Sequence, residues 1–105
     1  MISVTVIRNQ NEEICGFRVS GHAGFAAKGK DIVCAAVSAL ATNTVNSVEA
    51  FTADKFSCKC DENGLLELII TDTVSDKSKL LLDSFLLGAE SISDEYGQKF
   101  VKLLK

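Results

Sequence analysis

The sequence predicts an α+β fold of two layers, with element order ββαββαβ and two helices packed on a mixed or antiparallel sheet. Three observations carry this. Two pairs of short, β-rich runs are each joined by a tight polar turn. Two long segments have helical periodicity. A last short apolar run follows a glycine at the end of the second long segment. At 105 residues and 47% hydrophobic content the chain has the length of one domain, residues 1–105, and material for one core. A core of this size is marginal, so pairing with a second copy would help stabilise it.

The elements follow in order. Ile2 to Arg8, ISVTVIR, is β-branched and alternating and predicts a strand; RNQNEE turns the chain, and Ile14 to Gly21 returns as its hairpin partner. Asp31 is a good N-cap for a helix from Ile32 to Ala50, whose small residues Ala35, Ala36, Ala39 and Ala41 permit close packing. Lys55 to Asp61 and Leu65 to Asp72 form a second hairpin about Asn63-Gly64, a strong turn signal. A helix from Asp76 to Tyr96 carries Leu81, Phe85, Ala89, Ile92 and Tyr96 at helical spacing, and Leu80, Leu82, Leu86 and Leu87 widen that stripe almost all round. So apolar a helix is deeply buried or shared with a partner, which predicts a homodimer. Gly97 ends it and KFVKLLK supplies the last strand. With no proline in the chain, Gly, Asn and Asp provide all the punctuation.

Composition narrows the function classes. With 11 basic and 14 acidic residues the net charge is −3, which argues against a nucleic-acid partner. MISVTVIRNQ has no basic n-region and reads as a strand, and no apolar run has membrane-spanning length, so a cytoplasmic protein without a membrane partner is expected. In that compartment Cys15, Cys34, Cys58 and Cys60 are expected as free thiols. Their spacing matches no zinc motif, and neither a metal nor a cofactor is predicted. Cys58 and Cys60 share one face of their strand, and burial is expected for both and for Cys15.

The stretch SGHAGFAAKGKDIVCAAVSAL, Ser20 to Leu40, holds the chain's one histidine, His22, and the glycines Gly21, Gly24 and Gly29. Asp31 as N-cap puts Cys34 at the third helical position, where unpaired N–H groups and the helix dipole favour a thiolate. Lys28 and Lys30 act in the same sense. Free N–H groups at the helix start are candidates for an oxyanion hole. Histidine is the side chain that ordinarily titrates near neutral pH, so a loop folded back on the helix would let His22 serve Cys34 as base and acid. Ser38 lies one turn below Cys34 on the same face. Plainer readings stand beside these: Cys34 as a small core residue, His22 as a solvated loop residue, Asp31 as a cap only and the glycines as turn formers.

Gly21-His22, Gly24, Gly29, Asp31-Ile32-Val33-Cys34-Ala35 and Ser38 together resemble the signature of the ribosomal-processing cysteine protease family, whose members have about this length and element order. The resemblance implies that Cys34 is the nucleophile and His22 its partner, with Asp31 and Ser38 in support. It implies a cytosolic homodimer, found mainly in Firmicutes and their relatives. The implied substrate is the N-terminal extension of large-subunit ribosomal protein 27, cut after a short apolar segment ending in two aromatic residues. Its removal lets the mature N-terminus reach the peptidyl-transferase region. A loop from Gly21 to Lys30 that orders over the peptide would then carry Phe25 as a contact for the substrate aromatics. Two other classes remain at this point: a non-catalytic ribosome-assembly interaction module, and a thiol redox sensor built on Cys34.

Overall fold

The computed structural model describes residues 1–27 and 30–105; Lys28 and Gly29, the latter one of the expected loop glycines, lie outside the described residues. The elements are β1 (Ile2–Arg8), β2 (Ile14–Ser20), α1 (Ile32–Phe51), β3 (Phe56–Cys60), β4 (Leu66–Ile70), α2 (Asp76–Tyr96) and β5 (Val101–Leu104). The predicted order holds, and the differences are confined to element ends.

The five strands form one sheet in the order β3-β4-β2-β1-β5. The β1/β2, β2/β4 and β3/β4 pairs are antiparallel, while β1/β5 is parallel, so the sheet is mixed. Its parallel pair is possible because α2 carries the chain from β4 across to β5 on the far edge. The registers Val4 with Val19, Val6 with Phe17, Phe17 with Leu68 and Val19 with Leu66 put these side chains on one face, as strand alternation requires. Arg18 and Glu67, paired on the opposite face, form an ion pair at 2.6 Å.

The apolar face receives the helices. α1 buries Val33, Val37, Ala41, Thr44 and Val48, a stripe at steps of three and four. α2 buries Leu82, Phe85, Leu86 and Ala89. Phe85 stacks on Phe17 of β2 with ring centroids 3.9 Å apart, tying the helix layer to the middle of the sheet. The two helices approach closely at Gly88, where a Cβ would come within 2.6 Å of Leu40 Cδ2.

One expectation about burial is corrected. Cys15 is buried, but Cys58 and Cys60 are exposed. Both do share the helix-side face, opposite Leu68 and Leu66. They lie on the edge strand β3, whereas α2 packs against the central strand β2 and the opposite edge strand β5. Of the two alternatives for the second helix, burial all round does not hold in the single chain: Leu80 and Leu87 are 69% and 68% exposed and lie seven residues apart on one side of it. No helix among the described residues is long and apolar enough to cross a membrane.

Candidate active site

The site forms where the end of β2, the start of α1 and the β3–β4 turn meet. Asp31 caps α1: its Oδ1 accepts the N–H groups of Val33 and Cys34, both at 3.0 Å, which makes Cys34 the third helical residue. Its Oδ2 accepts the N–H of Phe25 at 3.0 Å, so one carboxylate holds both the helix start and the loop before it. These bonds, led by that from the Cys34 N–H, push the Asp31 carboxyl below its ordinary value and keep it ionised.

This capping corrects one expectation. The N–H groups of Val33 and Cys34 are taken by the Asp31 side chain, and that of Ala35 by the Asp31 carbonyl at 3.1 Å. They are therefore not free to receive an oxyanion. The backbone group that reaches the sulfur comes from the loop: the Ala23 N–H donates to Cys34 Sγ at 3.1 Å. Ala23 itself is buried, so its methyl anchors the loop in the core while its N–H faces the thiol.

The loop thus folds back and brings His22 and Cys34 to one surface. They line two adjoining hollows together, with Ser38 and Glu62 as further shared walls. The larger, about 520 Å³, extends under the loop past Gly24, Ala26 and Asp31. The other, about 340 Å³, runs along α1 past Val37 and Ala41 toward Cys60 and Leu66. Both volumes are in the range of peptide and small-ligand sites. Cys34 is half-buried between them, accessible yet backed by the helix.

Not every expected residue joins this cleft. Gly21, just past β2 with φ +88°, and Gly24, with φ +71°, do line it, one hollow each. Phe25 lines neither hollow; its ring packs edge-on against Tyr96 and Phe100, with centroids 5.6 and 5.2 Å away. It pins the loop to the end of α2 and the approach to β5. The β3–β4 turn, by contrast, carries only a hairpin signal in the sequence, yet it supplies Glu62 and Asn63 to the cleft wall. Nothing local in the sequence marks that wall, since it depends on β4 pairing with β2 rather than with β1. Among the described residues no three His, Cys, Asp or Glu side chains cluster as metal ligands. Burial pushes the Cys15 thiol above its ordinary value.

Comparison with known proteins gives this arrangement its context. The family model described as Cysteine protease Prp matches residues 1–101. The chain belongs to that family. The ribosomal processing cysteine protease Prp of Staphylococcus aureus is 30% identical over 99 residues, covering 93% of each chain. That of Bacillus subtilis is 29% identical over 101 residues, covering 91% of this chain and 90% of its own. A crystal structure of the S. aureus Prp with a covalently linked product peptide superposes with a TM-score of 0.90 at 30% identity, covering 99% of this chain and 98% of that one. A second, with a substrate peptide, gives 0.84 at 28% identity, covering 98% and 97%. This chain is accordingly a cysteine protease of the Prp family with the Prp fold.

Proposed function

We propose that this chain, as a single domain, is the endopeptidase that removes the N-terminal extension of large-subunit ribosomal protein 27, using Cys34 as nucleophile and His22 as general base and acid. The observation that carries the assignment is that His22 and Cys34 line the same two hollows, with a loop N–H donating to the sulfur. Peptide-bound structures of the S. aureus relative support a peptide as the ligand.

The chemistry follows from the groups present. His22 takes the proton of the Cys34 thiol, the sulfur attacks the scissile carbonyl, and the C–N bond breaks as His22 passes that proton to the departing amine. The acyl group is left as a thioester on Sγ. Water then attacks with His22 as base, releasing the acid and restoring the thiol. Cys34 stands between the hollows, so the acyl side of a peptide can occupy one while the amine side leaves through the other. Asp31 acts as cap and loop tether, and Ser38 offers a hydroxyl to the groove wall. The reaction needs no cofactor or metal and involves neither nucleic acid nor membrane.

The test is incubation with a peptide carrying that extension, with products read by mass spectrometry. Cleavage at a single bond is expected, after the apolar segment. Peptide binding without cleavage would leave the interaction-module reading in its place.

The enzyme works as a cytoplasmic homodimer in this reading. Leu80 and Leu87, exposed along α2, support an association surface. Light scattering at micromolar concentration should give twice the chain mass; the monomer mass would remove the dimer from the proposal.

A further inference from the structure

We propose that Gly64, in the β3–β4 turn, is a positioning residue for His22: the hairpin tip is the surface against which the imidazole is set. The inference rests on His22 acting with Cys34 and adds a part to that site that lies far from both in the sequence.

Among the described residues four glycines have positive φ, Gly21, Gly24, Gly64 and Gly97, at +88°, +71°, +86° and +105°. At Gly24 and Gly97 an added Cβ would meet nothing within 4 Å. At Gly64 it would stand 2.6 Å from the Gly21 carbonyl oxygen and 3.2 Å from His22 Cε1. The turn alone does not demand this. A left-handed position in a hairpin also accepts asparagine. What asparagine cannot supply is the missing Cβ, and that absence is what lets the hairpin backbone touch Gly21 and the His22 ring.

The contact is one half of a clamp. An added Cβ at Gly21 would lie 2.5 Å from the Met1 carbonyl oxygen. The backbone leading into His22 is therefore held between the start of β1 and the hairpin tip, and both approaches are too close for a side chain. The tip itself is stiffened by Asp61, whose Oδ1 accepts the N–H groups of Asn63 at 2.8 Å and Leu65 at 3.1 Å. Cys34, in contrast, is held by α1 and the Asp31 cap. The two reacting groups thus rest on different elements, and the Gly64 contact sets one relative to the other. A Cβ there forces Gly21-His22 or the hairpin to move by a few tenths of an ångström or more. A 1 Å misplacement of a catalytic group can cost on the order of 10²-fold in rate.

The experiment compares Gly64→Ala, Gly64→Asn, Gly97→Ala and the unaltered protein. kcat and KM are measured on the ribosomal-protein peptide, and the rate of Cys34 alkylation by iodoacetamide is followed against pH, with thermal melting alongside. Gly97→Ala also strains a positive-φ backbone, at φ +105° and ψ 152°, but its Cβ position is open, so it should lose stability and keep kcat. Both Gly64 variants should lose roughly 10- to 100-fold in kcat with KM little changed. Their alkylation profile should move toward that of His22→Ala. Full kcat and an unshifted profile in Gly64→Asn would overturn the inference and make Gly64 a turn residue only. If the unaltered protein cleaves no peptide, the protease assignment of the pair fails separately, and the alkylation comparison still decides the role of Gly64. Should Gly64→Ala not fold, Gly64→Asn, with its tolerated backbone, carries the test.

Discussion

Cys34→Ala should abolish peptide cleavage, and His22→Ala should lower kcat/KM by roughly 10²- to 10⁴-fold at neutral pH. The two losses differ because the groups do different work. Without Sγ there is no acyl-enzyme, and only the binding surface is left to act on the peptide. Without the imidazole the thiol persists, and its thiolate fraction can still attack, but no group delivers a proton to the leaving amine. The double variant should be no worse than Cys34→Ala, since residues that act as one unit are not additive. Neither change should unfold the protein: His22 is exposed, and Cys34 is half-buried at the rim of the core. Mass spectrometry of the peptide products, with melting curves as control, gives the answer. Cleavage retained in Cys34→Ala would remove the nucleophile assignment altogether.

Much of this site was legible in local sequence because the relevant physics is local. Asp31 before an apolar run announces a cap, and three residues later Cys34 must sit in the first turn. Strand alternation in Ile2–Arg8 and the helical spacing of Phe85 and Ala89 likewise declare their own buried faces, although Leu81 of the same stripe is only half-buried and Leu82 beside it is the buried residue. What stayed hidden depends on pairing between distant segments. Cys58 and Cys60 alternate like inward residues, and only the strand order shows that β3 is an edge. Phe25 was expected over the peptide, but Tyr96 and Phe100, some seventy residues on, hold its ring. The N–H groups of the helix start looked available, yet the Asp31 carboxylate that marks the helix also consumes them. The role of Gly64 shows the same limit, since Asn-Gly reads as a turn whether or not a histidine rests on it.

Asp31→Asn separates a tether from a triad member by magnitude. A carboxylate that orients a catalytic histidine costs about 10⁴-fold when made an amide, because the imidazole loses its required tautomer. Here both carboxylate oxygens are turned to backbone: Oδ1 to Val33 and Cys34, Oδ2 to Phe25. Asparagine keeps one acceptor oxygen and caps a helix about as well as aspartate, so α1 should persist. It cannot keep the second acceptor: its NH₂ would meet the Phe25 N–H donor to donor, and the loop carrying His22 and Ala23 would be released from the helix start. The expected loss in kcat/KM is therefore about 10-fold, well short of the triad figure, with helix content by circular dichroism unchanged. A loss of 10³-fold or more would overturn the tether assignment. Acid titration supplies the second reading. The Asp31 carboxyl is held below its ordinary value in the folded protein, chiefly by the Cys34 N–H. A group depressed on folding contributes stability above its unfolded pKa, about 3.9 for aspartate, and that contribution disappears as pH falls through the folded value. The unaltered protein should thus lose more stability below about pH 4 than Asp31→Asn, which has nothing to protonate there. Asp54, also held low, chiefly by the Ser75 hydroxyl, titrates in both proteins and cancels in the comparison. Identical acid limbs would mean that the Asp31 carboxylate is not held by these N–H groups in solution, and the loop would then need another anchor.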